Sequence, residues 1–299
     1  MRASLSILAI AACLAVARGF VQPQLQRASS QLALTTMSLS GNNKKGKLLV
    51  LGGTGFLGQT VCKRAVLEGY EVTSLSRRGI VADAAESSSP VDYRTGDARE
   101  KSAISNILKE GGYTGVVHCI GLLFDDASGL GQFNVFVSGS KSLPDTDSTY
   151  DTITRLTGFN AIDAAAEYAQ SMDKPLPFCF ASCAEAGWPD MPGGPQIERY
   201  LAPEWLKRYL AAKRTVEKKL LEMEPTLRPI IVRPSLIYSL DKPQAYIPVS
   251  AFFVGNAVGL PFVDRPVTVQ ALACAVVRSM DRENVSGVQR YAEIDQLSQ

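Results

Sequence analysis

A single histidine, His118, stands in 299 residues, which leaves no imidazole pair for a metal centre. The six cysteines (Cys13, Cys62, Cys119, Cys179, Cys183 and Cys274) include no CxxC pair and no zinc-type spacing. Those beyond the leader are scattered among apolar neighbours and read as small core residues in a reducing compartment. His118 sits in the apolar run Val116 to Ile120 and reads as a satisfied or packed histidine. An excess of one charge is missing too: 31 basic residues face 29 acidic ones, net +2, and the electrostatic case for nucleic acid falls away. What is present is apolar mass. Hydrophobic residues make up 46% and charged residues 20%, the balance of a globular chain with a sizeable core.

The first 39 residues lack Asp and Glu but hold Arg2, Arg18 and Arg27. Arg2 precedes an apolar run, Leu5 to Ala17, shorter than the roughly 20 residues of a spanning helix. The small-residue site Ala17-Arg18-Gly19 follows, and the segment 1–19 reads as a cleaved signal peptide. Phe20 and a Ser/Thr/Gln-rich stretch to Ser40 then resemble the second half of the bipartite presequences of algae with complex plastids. The expected address is the plastid, with the mitochondrion as the alternative. The expected folded domain is 41–299.

From residue 46 short apolar runs alternate with helical patterns. Strands are predicted at 47–52, 71–76, 91–95, 115–120, 177–182 and 229–233, and helices near 56–68, 99–110, 150–171 and 203–223. This alternation predicts an α/β fold, a doubly wound parallel sheet of Rossmann type. Continuous runs such as Leu48-Leu49-Val50-Leu51 suit strands covered on both faces. The rhythm breaks at Gly187 to Pro195 and again at 239–265. A small substrate lobe is therefore expected, mainly from 183–200 and 235–299.

The first strand runs into Gly52-Gly53-Thr54-Gly55-Phe56-Leu57-Gly58. Glycines at this spacing, between a strand and a helix, make a tight turn whose backbone approaches a pyrophosphate at the helix N-terminus. No Gly-Lys-Ser/Thr follows, which excludes a P-loop. A dinucleotide site is expected. For NAD the second strand usually ends in Asp or Glu, about 20 residues on. Here it ends Ser74-Leu75-Ser76-Arg77-Arg78, without a carboxylate and with two guanidiniums for a 2′-phosphate. NADP(H) is therefore preferred over NAD(H); the alternative is a solvated Arg pair. Asp97 and Ala98 are placed for the adenine edge, and His118 to Gly121, including Ile120, for the ribose.

These segments, with Tyr209-x-x-x-Lys213 and Arg233-Pro234-Ser235-Leu236-Ile237-Tyr238, resemble an extended or atypical short-chain dehydrogenase/reductase over about residues 46–295. The resemblance is greatest to the branch holding the fungal coenzyme Q biosynthesis protein of this fold and plastoglobule-associated plant relatives. At 100° per residue Leu206, Tyr209, Lys213, Val216 and Leu220 share a helical face, which puts the Lys213 cation on an apolar stripe. Lys207, Arg214, Lys218 and Lys219 point elsewhere and read as a solvated face.

The resemblance implies that Lys213 meets ribose hydroxyls and lowers the pKa of Tyr209, the acid/base. Pro234 follows as a cofactor contact. A Ser or Thr orienting the carbonyl would be Ser182, or Cys183 in the neighbouring register. Thr154 stands where a structural Asn is usual. The expected function is an NADPH-dependent oxidoreductase on a carbonyl or quinone-like, prenylated or otherwise lipophilic substrate. The apolar segment Tyr246 to Val254 would face that substrate or a membrane surface. The alternative is a nucleotide-binding scaffold in a plastid or mitochondrial complex.

Overall fold

The computed structural model describes residues 45–79, 90–131, 134, 147–239, 256 and 264–299. The expected presequence, the segment 246–254 and most of the central part of the expected lobe lie outside the described residues.

Seven parallel strands form the main sheet: β1 (Lys47–Leu51), β2 (Glu71–Ser76), β3 (Val91–Thr95), β4 (Tyr113–His118), β5 (Leu176–Ala181), β6 (Leu227–Val232) and β9 (Gly287–Gln289). Their order is β3-β2-β1-β4-β5-β6-β9. A parallel pair, β7 (Ile237–Tyr238) with β8 (Val267–Thr268), stands apart. The helices are α1 (Phe56–Leu67), α2 (Lys101–Leu108), α3 (Thr157–Ala169), α4 (Gly194–Leu201), α5 (Glu204–Leu221), α6 (Val269–Asp281) and α7 (Tyr291–Ser298). A π-helical turn, Asp151–Leu156, leads into α3, and a 3₁₀ segment, Ala184–Asp190, follows β5.

The expected doubly wound α/β sheet is what forms, because period-2 geometry sends alternate side chains of β1 to opposite cores. Leu48 and Val50 pack with Val61, Cys62 and Ala65 of α1 and Leu272, Ala273 and Val276 of α6. Leu49 and Leu51 pack with Ile104 and Leu108 of α2, Ala161 and Ile162 of α3, and Val216 and Leu220 of α5. An apolar run is thus what a strand between two helical layers needs.

The end of the chain departs from expectation. The sequence pattern assigns residues 269–299 to the lobe, yet β9 extends the sheet beside β6 and α6 buries Val269, Leu272, Ala273, Val276 and Val277 in the first core. The physical reason is that α1 covers only part of that face, and α6 supplies the remaining apolar surface.

Arg228 then locks the segment by donating to the carbonyls of Ser279 at 3.1 Å, Met280 at 2.8 Å and Arg282 at 3.0 Å, and to that of Val285. The carbonyls of Ser279, Met280 and Arg282 are orphan acceptors at the C-terminal end of α6.

Candidate active site

The strand order reverses between β1 and β4, and it is there, outside the carboxyl ends of the strands, that a doubly wound sheet opens a crevice. A cleft of about 570 Å³ occupies this place. It runs from the turn after β1, past the ends of β2 and β3, to the ends of β4 and β5 and the face of α5.

The glycine turn shapes one end. Gly52 turns at φ 82° and donates its N–H to the Leu75 carbonyl at 2.8 Å. Gly55 is the N-cap of α1 and donates to the Gly52 carbonyl at 2.9 Å. No side chain caps this helix and no acid lies in its first turn. This end of the helix, the positive end of its dipole, borders the cleft and suits an anion.

Gly52, Thr54, Gly55, Phe56 and Leu57 line the cleft; Gly53 and Gly58 do not. A Cβ on Gly53 would run into Ser74 and Cys62, and one on Gly58 would lie 2.8 Å from the Gly53 Cα. These two glycines let strand and helix close on each other, and the others make the lining.

Ser76, Arg77 and Arg78 line the far end, both guanidinium side chains exposed, and Arg78 reaches the Thr54 carbonyl at 3.4 Å. Asp97 and Ala98 line the same end. The Asp97 carboxylate accepts from Arg99 Nη2 at 2.6 Å, Arg99 Nε at 2.8 Å and the Arg99 amide at 2.9 Å. Burial pushes this carboxyl up, but the Arg99 bonds, with Arg77 nearby, carry it below its ordinary range. The acid beside the arginines is thus largely neutralised by Arg99.

At the other end the end of β4 and the face of α5 meet. Ile120, Gly121, Ser182, Tyr209 and Lys213 all line the cleft there. Lys213 is buried; its Nζ donates to the Ala181 carbonyl at 2.7 Å and lies 4.9 Å from the Phe180 ring centre. Burial pushes its pKa down, while Cys183, Glu217 and Cys119 act the other way.

Tyr209 packs edge-on against Tyr150, with ring centres 5.6 Å apart. Burial, then the neighbouring Cys183 and Glu185, push its hydroxyl well above the ordinary tyrosine range. Burial thus opposes the lowering that the resemblance implied.

The register of the segment after β5 is resolved. Ser182 lines the cleft with a buried hydroxyl that has no hydrogen-bond partner. Cys183 lies outside the lining and packs beside Tyr209, its thiol pushed up to about 12 by burial. Pro234 is buried outside the lining and its carbonyl accepts from the Ala184 amide at 2.8 Å. Thr154 lies in the π-helical turn, fully buried, its hydroxyl without a partner. π-turns of this kind recur at functional sites.

One reading is corrected. Arg214 is not part of a solvated face: it donates to the Ala186 carbonyl at 2.9 Å and to Glu198 at 2.6 and 2.8 Å, tying the 3₁₀ segment and α4 to α5. His118 is packed, as expected, and one ring nitrogen is satisfied. Its ring is fully buried, and Nε2 lies 3.1 Å from the Thr157 hydroxyl.

Sequence reasoning also missed Leu122, Leu123, Ser148, Ile153, Thr157 and Ile237 in the cleft wall. Their only signal is position: Leu122 and Leu123 beyond the end of β4, Ser148, Ile153 and Thr157 around the π-helical turn, and Ile237 in β7.

A family model for the NAD dependent epimerase/dehydratase family matches residues 48–251. The chain belongs to that family. Its fold is accordingly an extended short-chain dehydrogenase/reductase fold of the nicotinamide-dinucleotide-binding type.

Among curated proteins, the MIOREX complex component 2 of Saccharomyces cerevisiae is 25% identical over 288 residues, covering 83% of this chain and 98% of the yeast protein. Among solved structures, the UDP-glucose 4-epimerase of Thermus thermophilus in complex with NAD is similar in fold. Its TM-score is 0.53 at 20% identity, over 82% of this chain and 76% of that one. ElxO with NADP bound is similar with TM-score 0.56 at 13% identity, over 82% of this chain and 96% of that one. Proteins of this fold hold either dinucleotide, so the fold alone leaves the choice of coenzyme to the residues at the end of β2.

Proposed function

We propose that this protein is an NADPH-dependent oxidoreductase acting on a carbonyl or quinone-like, largely apolar substrate. The observation that carries the reading is the single cleft joining the glycine turn and the Arg77-Arg78 pair to Tyr209, Lys213 and the unpartnered Ser182 hydroxyl. The residues fit a dinucleotide: a Cβ on Gly52 would lie 2.9 Å from Ile120 and narrow the passage, and the α1 N-terminus suits a pyrophosphate.

When bound, the nicotinamide supplies or accepts the hydride. The chain's own residues do the rest. Ser182 orients the substrate carbonyl by donating its free hydroxyl. Tyr209, protonated, donates to the oxygen that gains charge. Lys213 holds ribose hydroxyls and stabilises charge on Tyr209. Leu122, Leu123, Ile153 and Ile237 supply an apolar wall. Arg77 and Arg78 pair with a 2′-phosphate.

The test is turnover by purified protein with NADPH and a series of quinones and lipophilic ketones, followed at the nicotinamide absorbance. Tyr209→Phe is expected to abolish turnover and to keep NADPH binding. If the wild type oxidises NADPH with none of them, the enzyme reading fails.

A second reading is supported by the yeast relative, a component of a complex. In it the chain binds dinucleotide as a subunit of an organellar assembly and turns nothing over. Tyr209→Phe then supports the assembly as well as the wild type does. The organelle itself, plastid or mitochondrion, is decided by fusing residues 1–40 to a fluorescent protein.

A further inference from the structure

The buried imidazole of His118 has a defined tautomer. The Thr157 hydroxyl donates to the Ile153 carbonyl at 2.7 Å, one turn back on the helix, so its single proton is spent. Its 3.1 Å contact with His118 Nε2 therefore has the ring donating and the hydroxyl oxygen accepting. Nε2 carries the proton and Nδ1 carries a lone pair. That Nδ1 is fully buried and has no partner.

An acceptor buried without a donor is costly, and folded proteins meet such atoms with a donor or an ordered water. Lys213 is a donor whose charge acts on this ring. Both groups lie against one ring: the His118 centre is 5.5 Å and the Lys213 Nζ 4.9 Å from the centre of Phe180. Lys213 uses one of its three N–H groups on Ala181. A second orphaned hydroxyl, Thr154, stands one turn before Thr157 on the element packed against α5.

We propose that His118 is a positioning residue for Lys213: its Nδ1 accepts a hydrogen bond from one buried water, and that water accepts one from the Lys213 ammonium. This deepens the proposed function, since it rests on Lys213 as the cation of the site. The water holds the ammonium in its charged form and fixes its direction, leaving the remaining N–H for the cofactor ribose.

The other groups facing Lys213 are Cys119 beside His118, Cys183 after β5, and Tyr209 and Glu217 on α5. Burial raises the thiols of Cys119 and Cys183, and the Glu217 side chain is already paired with Arg233.

The test reads Lys213 directly and needs no cofactor. Protein labelled with ¹³C at the lysine ε-carbons is titrated by NMR, the Lys213 signal being assigned with Lys213→Met. Asparagine places a polar atom near the Nδ1 position and glutamine near the Nε2 position. His118→Gln, which keeps the Thr157 bond and loses the Nδ1 acceptor, is expected to lower the Lys213 midpoint by about one pH unit, a tenfold loss of proton affinity. His118→Asn is expected to restore it to within about 0.3 unit, roughly twofold. Thr157→Val frees the ring to protonate Nδ1 and is expected to lower the midpoint as well, which covers a His118→Gln variant that does not fold.

Identical midpoints in wild type, His118→Gln and Thr157→Val overturn the proposal, as does an equal fall in the Asn and Gln variants, the mark of a packing role. The proposed function is judged separately, by NADPH binding and turnover of the wild type.

Discussion

Arg233 and Glu217 form a two-point ion pair, Nε to Oε1 at 3.0 Å and Nη2 to Oε2 at 2.6 Å, with the Glu217 side chain 4% exposed. The pair joins the residue after β6 to the helix that carries Tyr209 and Lys213, and so sets the depth at which that helix meets the cleft. Removing one partner strands the other. Arg233→Met leaves a buried carboxylate uncompensated and is expected to cost about 3 kcal/mol in urea denaturation. Arg233→Met combined with Glu217→Leu is expected to recover most of that loss. A single variant as stable as the wild type would show the pair to be ornamental.

Gly58 carries a closer constraint. A methyl group there would lie 2.8 Å from both the Gly53 Cα and the Gly52 carbonyl carbon, and closer still to the Gly52 oxygen. Backbone cannot yield as a side chain does. Gly58→Ala is expected to cost about 3 kcal/mol and to weaken dinucleotide binding with it. Gly111→Ala, at φ 81° but in open space, is expected to cost about 1 kcal/mol and leave binding unchanged. Calorimetric binding and melting of the two variants separates the close approach from simple backbone strain.

The arginines at the end of β2 determine the coenzyme preference in the proposed function. Replacing Arg77 and Arg78 together by alanine is expected to raise the Kd for NADPH about tenfold or more, while that for NADH moves by no more than about twofold. Titration calorimetry with the two coenzymes gives the ratio. Equal weakening of both would show that the pair does not read the 2′-phosphate.

His118 makes stability depend on pH. Burial, with the Lys213 charge, lowers its pKa from the ordinary 6.5 to about 3. Below pH 6.5 the unfolded chain takes up a proton that the native state refuses. Stability is fully present above that pH and falls by about 1.4 kcal/mol per unit on the way down towards pH 3. Asp97 and Asp151, whose pKa values are lowered, act in the same direction only at the acidic end, and Glu185, raised by burial, opposes. The difference between wild type and His118→Asn removes these common contributions. Denaturant midpoints between about pH 7 and about pH 4.5 are expected to converge for the pair as pH falls, and parallel curves would refute a neutral buried imidazole.

What could be read from the chain alone is what depends on local order. Leu48 to Leu51 announce a strand covered on both faces, because side-chain alternation has period 2 whatever the surroundings. The glycines after it announce a turn into a helix, because only residues without a Cβ pass there. Tyr209 and Lys213, four apart, must share a helical face.

The tertiary structure decided what depends on residues distant in sequence. Whether Ser182 or Cys183 reaches the cleft turned on the register set by the Ser182 amide bonding to Val232 at 2.8 Å. Whether Arg214 meets solvent turned on Glu198 and two carbonyls of the 3₁₀ segment, which no helical periodicity contains. The last helices read as a lobe because their apolar pattern does not name the surface it covers, and it was the bare part of the α1 face that drew α6 in. Local pattern determines which side chains must be buried; only the folded chain determines against what, and a pKa or an orphaned lone pair belongs to that second question.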